Sequence, residues 1–121
     1  MLTSYRELVA WQKAIELAVL VYRLSEEFPK REIYGLAAQI RRAAVSIPSN
    51  IAEGYGRGSR REYVQFLCIA QGSLKEMETQ TILSERLMYA TSAQAKIVLD
   101  ASEVVGKMLG GLIRSLKAKS E

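Results

Sequence analysis

Apolar residues return at intervals of three and four along almost the whole chain, the spacing of helices that each bury one face. From Glu7 to Phe28, Leu8, Trp11, Ile15, Ala18 and Tyr22 trace a stripe that Leu17, Val21, Leu24 and Phe28 widen. The stretch EEFPKRE interrupts it, and Phe28 precedes Pro29, which pushes its neighbour out of the helical region. A second helix is predicted from near Arg31, with Ile33, Leu36, Ile40, Ala44, Ile47 and Ile51 on one face. Pro48 lies inside it and predicts a kink, with Ser46, Ser49 or Asn50 available to satisfy freed backbone groups. The helix is expected to stop at Glu53 or Gly54.

Ser59-Arg60-Arg61-Glu62 has the form of a capping box, in which the serine hydroxyl accepts an amide three residues on. It opens the longest predicted helix, about residues 60–89. Leu67, Ala70, Leu74, Met77, Thr81, Ser84 and Met88 form its seam, several of them small or polar. A second box, Thr91-Ser92-Ala93-Gln94, starts a last helix with Val98, Ser102, Val105, Leu109, Leu112 and Leu116 at heptad spacing. Gly106 and Gly110 share a face of that helix, which suggests close packing rather than a break near 110–111. No strand pattern, repeat or low-complexity linker interrupts the series. Four helices with short connections predict an all-α, antiparallel up-down four-helix bundle, one domain over residues 1–121.

Composition narrows the chemistry. The chain has one cysteine and no histidine, so an internal disulfide, Cys/His zinc sites and imidazole-based triads are excluded. Cys68, within Phe66-Leu67-Cys68-Ile69-Ala70, reads as a small core residue. No carboxylate pair stands out, and the pattern calls for no enzyme activity, metal or cofactor. No apolar run approaches the roughly 18 residues of a membrane span. MLTSYREL lacks the layout of a signal peptide. The expectation is a cytoplasmic protein with no membrane partner.

The net charge of +4 is segregated along the chain. Residues 1–40 balance five bases with five acids; residues 41–61 set Arg41, Arg42, Arg57, Arg60 and Arg61 against Glu53 alone. Residues 62–106 are acidic overall, and residues 107–121 set Lys107, Arg114, Lys117 and Lys119 against Glu121. An up-down bundle brings the loop between the second and third helices to the same pole as the end of the fourth. Arg57, Arg60, Arg61, Arg114, Lys117 and Lys119 are therefore candidate contacts for the phosphates of RNA or DNA, with Tyr55 a candidate for base stacking. Lys117 and Lys119 also complement a helix C-terminus, whereas Arg60 and Arg61 stand at an N-terminus, where cations are mildly unfavourable. Gly54-Tyr55-Gly56-Arg57-Gly58-Ser59 is not a nucleotide fingerprint: a dinucleotide motif counted from Gly54 needs glycine at Ser59, and one counted from Gly56 needs it at Arg61. A Walker motif needs Gly-Lys where Ser59-Arg60 stand, and no strand precedes the loop. Asn50 and Glu53 read as helix-end hydrogen bonding. Of Arg41 and Arg42, one is expected to flank the core with its head on an acid, the other to face solvent. Apolar residues beyond the seam of the third helix, among them Ile69, Ile82 and Leu83, suggest either a wide core-facing stripe or, where they are exposed, a surface buried against another copy.

Several segments resemble the four-helix bundle family encoded within intervening sequences of bacterial 23S ribosomal RNA genes. These are Trp11-Gln12, Phe28-Pro29, Glu32-x-Tyr34-Gly35-Leu36, Gln39-Ile40-Arg41-Arg42-Ala43, Ser46-Ile47-Pro48-x-Asn50-Ile51-Ala52-Glu53-Gly54 and Gly72-Ser73-Leu74-x-Glu76. The resemblance covers nearly the whole chain. It implies an up-down bundle that assembles into a homopentameric, barrel-like ring. It also implies a relationship to the accessory variability determinant protein of diversity-generating retroelements, a basic bundle that works with a reverse transcriptase and nucleic acid. It implies no established activity. Five basic poles on one face of a ring would form a multivalent surface. The functions it leaves open are nucleic acid binding and a protein-interaction scaffold that docks a nucleic acid enzyme.

Overall fold

The computed structural model describes residues 3–120; Glu121, which contributes to the terminal charge, lies outside them. Four helices make up the fold: α1 (Val9–Glu26), α2 (Leu36–Tyr55), α3 (Arg60–Arg86) and α4 (Ser92–Ser120), with single 3₁₀ turns at Tyr5–Glu7 and Lys30–Glu32. The described residues contain no strand. The helices pack in a cycle, α1 on α2, α2 on α3, α3 on α4 and α4 on α1, with the α2–α3 contact the most extensive. Leu17, Ile40, Ile47, Leu67, Leu74, Met77, Val98 and Leu109 are fully or almost fully buried along the shared axis.

The inward stripe of α1 differs from the expected one. Ala10, Ala14, Leu17, Val21 and Leu24 face the core, while Ile15 and Tyr22, one position further round, are exposed. Small alanines let α1 approach its neighbours closely, and hydrophobicity alone gives them little weight.

The second helix begins five residues later than the periodicity suggests. Residues 30–32 form a 3₁₀ turn, and Ile33 is exposed rather than on the buried face. Gly35 is the N-cap and has no side chain to offer, so Glu32 caps the helix in its place, with Oε1 accepting from the Leu36 amide at 3.0 Å. Its Oε2 accepts from the Tyr89 hydroxyl at 2.9 Å, tying the α1–α2 connection to the α3–α4 connection. The Phe28 and Tyr89 rings stand 5.6 Å apart at the same end. These bonds to the ionised form, the Leu36 amide foremost, hold the Glu32 carboxyl below its ordinary value.

From Leu36 to Tyr55, α2 continues as one helix through Pro48. The carbonyl that Pro48 leaves without its usual donor is that of Ala44, whereas the Asn50 side-chain amide donates to the Ser46 carbonyl at 2.7 Å and to Ser46 Oγ at 2.9 Å. Ser46 Oγ in turn meets Ser73 Oγ of α3 at 2.8 Å. The seam hydroxyls of α3 are satisfied within the bundle, while the buried Gln80 Oε1 has no partner among the described residues. Thr81 and Ser84 donate to the Met77 and Gln80 carbonyls one turn back, and Ser102 of α4 donates to Glu78.

α3 stops at Arg86, three residues short of the expected end. Met88 adopts φ +63°, in the left-handed region, and the Tyr89 amide bonds back to the Ser84 carbonyl at 2.9 Å. Met88 thus ends the helix at a position glycine usually fills, and its side chain is 85% exposed instead of lying in the seam. α4 runs unbroken through Gly110 and Gly111; a Cβ on Gly106 would lie 3.2 Å from Leu74 Cδ2, the expected close packing, whereas one on Gly110 would meet the Arg114 side chain of its own helix.

Candidate nucleic-acid interface

The loop between α2 and α3 is built by local chemistry. α2 ends at Tyr55, one or two residues beyond the expected stop, with Gly56 as its C-cap. Gly58 takes φ +83°, a turn that costs a side-chain-bearing residue strain. Ser59 is extended, and its Oγ accepts from the Glu62 amide at 3.0 Å, forming the predicted cap of α3. Glu62 completes the box through the cap's side chain: the Ser59 hydroxyl donates to Glu62 Oε1 at 3.3 Å.

Gly54 is not the helix stop. It is buried in the last turn of α2, and a Cβ there would fall 2.7 Å from Phe66 Cβ and 3.3 Å from the Tyr63 carbonyl. The glycine lets α2 and α3 close on each other where they meet at this pole. Tyr55 packs edge-on against Tyr63, ring centroids 6.0 Å apart, so it is half-buried rather than an open stacking platform. The Tyr63 hydroxyl is buried with no hydrogen-bond partner among the described residues. Burial, aided by Tyr55, pushes its pKa up. A shallow pocket of about 240 Å³ opens between Tyr55, Gly58, Ser59, Arg60, Tyr63 and Leu116.

Among the six candidates one contact spans the start of α3 and the end of α4, and the six differ in their engagement. Arg60 reaches across the pole: its Nη1 donates to the Lys119 carbonyl at 2.8 Å. A cation disfavoured at the N-terminus of α3 is thereby placed at the negative end of α4's dipole. Arg57 pairs with Glu62, Nε to Oε2 3.0 Å, while its guanidinium lies over the Phe66 ring at 5.4 Å from the centroid. Arg61 is exposed in the first turn of α3, and Lys117 and Lys119 are exposed in the last turn of α4. Arg114 folds back along its own helix, its Nη1 3.3 Å from where a Gly110 Cβ would stand. Glu62 and Phe66 are the site residues that charge counting missed. The capping box had already placed Glu62 beside this loop.

Elsewhere two sequence readings are corrected. Cys68 is exposed, not a core residue, because Leu67 and Ala70 take the inward face and position 68 is turned about 100° away from Leu67. It opens onto a groove of about 800 Å³ between α3 and α4, lined also by Gly72, Ile82, Ser102 and Gly106. Arg41 flanks the core as expected but meets no acid among the described residues: its Nε donates to Ser25 Oγ at 2.7 Å and its guanidinium lies 4.7 Å from the Tyr22 ring centroid. Arg42 faces solvent. Among the described residues no acidic or cysteine cluster is arranged to hold a metal ion, and no helix is long and apolar enough to cross a membrane.

The family described as 23S rRNA-intervening sequence protein has a model that matches residues 6–111. Among solved structures, the chain is similar to a protein of unknown function from the S23 ribosomal protein family of Bacteroides thetaiotaomicron. The TM-score is 0.81 at 28% identity, covering 87% of this chain and 98% of that one. A search of curated proteins finds no match.

Proposed function

The chain belongs to the 23S rRNA-intervening sequence protein family, and from that premise we propose that it is a non-enzymatic protein that binds RNA or DNA through the phosphate backbone at one basic pole. The observation that carries this reading is the bond from Arg60 to the Lys119 carbonyl, which joins the start of α3 to the end of α4. Arg57, Arg60, Arg61, Lys117 and Lys119 then share one small end of the bundle, with Arg114 further back along α4. Cations on flexible stems with no recessed base pocket favour phosphate contact over sequence reading. In this reading copies assemble into a homopentameric ring that sets five such poles side by side and gains affinity by multivalency.

A second reading is a scaffold that docks a nucleic acid enzyme and does not itself touch nucleic acid. What favours it is apolar surface on α3, where Ile69, Ile82 and Leu83 are about half exposed.

Fluorescence anisotropy with labelled RNA and DNA across a salt series separates the two. Backbone binding is expected to weaken steeply with salt. Replacing Arg57, Arg60 and Arg61 together by alanine should lower the salt slope on single strands by up to about 2. No binding at low salt, or binding unchanged by the triple substitution, refutes the first reading. Light scattering that shows a monomer at micromolar concentration refutes the ring.

A further inference from the structure

Glu62 has a place in this pole that the charge map alone does not reveal. Its Oε2 holds Arg57 Nε at 3.0 Å, and its Oε1 accepts from the Ser59 hydroxyl at 3.3 Å. The Arg57 guanidinium also lies over the Phe66 ring. Both side chains of the pair are nearly half exposed, 48% for Arg57 and 41% for Glu62. The pair is therefore reached by solvent and exchanges readily. A guanidinium fork matches carboxylate and phosphate oxygens with the same geometry, so the two anions are direct competitors for one cation.

Resting on the nucleic-acid reading above, we propose that Glu62 is a built-in rival of backbone phosphate: it occupies Arg57 in the unliganded pole and is displaced when RNA or DNA binds. The carboxylate stays in place while the arginine leaves. Glu62 is the third residue of α3, its amide is capped by Ser59, and the dipole of a 27-residue helix favours negative charge there. Arg57, on the loop side of Gly58, is the partner able to swing. Arg61 differs: among the described residues no carboxylate lies within ion-pair distance of it, so it meets phosphate without a competitor. Glu62 thus keeps affinity below what the formal charge of the loop implies, through one contact and by a modest factor.

Glu62→Gln tests this cleanly, because glutamine also serves the third position of a capping box and leaves the start of α3 intact. Anisotropy titrations use a fluorescein-labelled single-stranded RNA at low salt. They compare the wild type, Glu62→Gln, Arg57→Ala, the double variant, and the triple arginine-to-alanine variant, each checked for native helicity. Glu62→Gln is expected to tighten binding about two- to fivefold, the scale of an exposed ion pair. In the Arg57→Ala background that gain should vanish. An unchanged or weakened affinity for Glu62→Gln overturns the proposal. So does an equal gain with and without Arg57, which would reflect general loss of negative charge. If the triple variant binds as the wild type does, the nucleic-acid reading itself falls. If the triple variant loses binding while Glu62→Gln shows no Arg57-dependent gain, only the role of Glu62 falls.

Discussion

Gly54→Ala should destabilise the protein, although alanine is the better helix former. In a helix interior the exchange is favourable by up to about 1 kcal/mol, and less than that in the last turn of α2, where Gly54 sits. Against this stands geometry. The new Cβ would lie 2.7 Å from Phe66 Cβ, 3.2 Å from Tyr63 Cδ1 and 3.3 Å from the Tyr63 carbonyl oxygen. Two of these atoms are a Cβ and a backbone oxygen, which no rotamer change can move. α2 and α3 must separate, and overpacking of this kind costs about 1–3 kcal/mol. The net expectation is a loss of about 1–2 kcal/mol, or several degrees in melting temperature for a chain of this size. Gly72→Ala is the internal control. It sits mid-helix in α3, its Cβ would meet nothing within 4 Å, and it should stabilise by up to about 1 kcal/mol. Urea unfolding of both variants, followed by helical circular dichroism, decides the matter. A Gly54→Ala midpoint equal to or above that of the wild type would refute the close-approach argument.

Met88→Gly should stabilise by about 0.5–1 kcal/mol, since it relieves a left-handed backbone and removes a side chain that is 85% exposed; an unchanged or lower urea midpoint counts against it. Glu32→Gln should expose a pH dependence whose sign follows from its lowered pKa. Because the folded value is depressed, the carboxylate's contribution is fully present above its ordinary value of 4.5 and is lost as pH falls through the lower folded value. The wild type should therefore exceed Glu32→Gln in stability at neutral pH and converge on it in acid, and a gap that stays constant down to low pH would contradict this.

What could be read from the sequence divides along the range of the interactions. Both capping boxes were legible because a hydroxyl and an amide three residues apart decide them locally. Thr91 and Gln94 exchange bonds of 3.1 Å and 2.8 Å as that logic requires. The start of α2 was not legible, because its cap is a carboxylate four residues upstream, held by a tyrosine from a connection 57 positions away. Gly54 shows a different difficulty. A glycine near a helix end signals both a stop and a close approach, and only the position of Phe66 on another helix tells which. Cys68 failed for a third reason: its apolar neighbours suggest core, whereas the seam through Leu67 and Ala70, correctly phased, already turns position 68 toward solvent.

The candidate site divides the same way. That the α2–α3 loop and the end of α4 share a pole follows from an up-down order alone, so the cluster was foreseeable. How each cation is engaged was not, since it depends on rotamers and on partners such as the Lys119 carbonyl. The distinction alters the energetics. An arginine already on a carboxylate or a carbonyl returns only the difference between its old and new partners when it turns to phosphate. Arg57 and Arg60 are in that position, whereas Arg61, Lys117 and Lys119 give up mainly water. On the nucleic-acid proposal, one copy would thus be a weaker polyanion site than its six cations suggest. In the proposed ring, repeating the pole would gain more than adding charge to each copy, because linked weak contacts multiply while each remains easy to release.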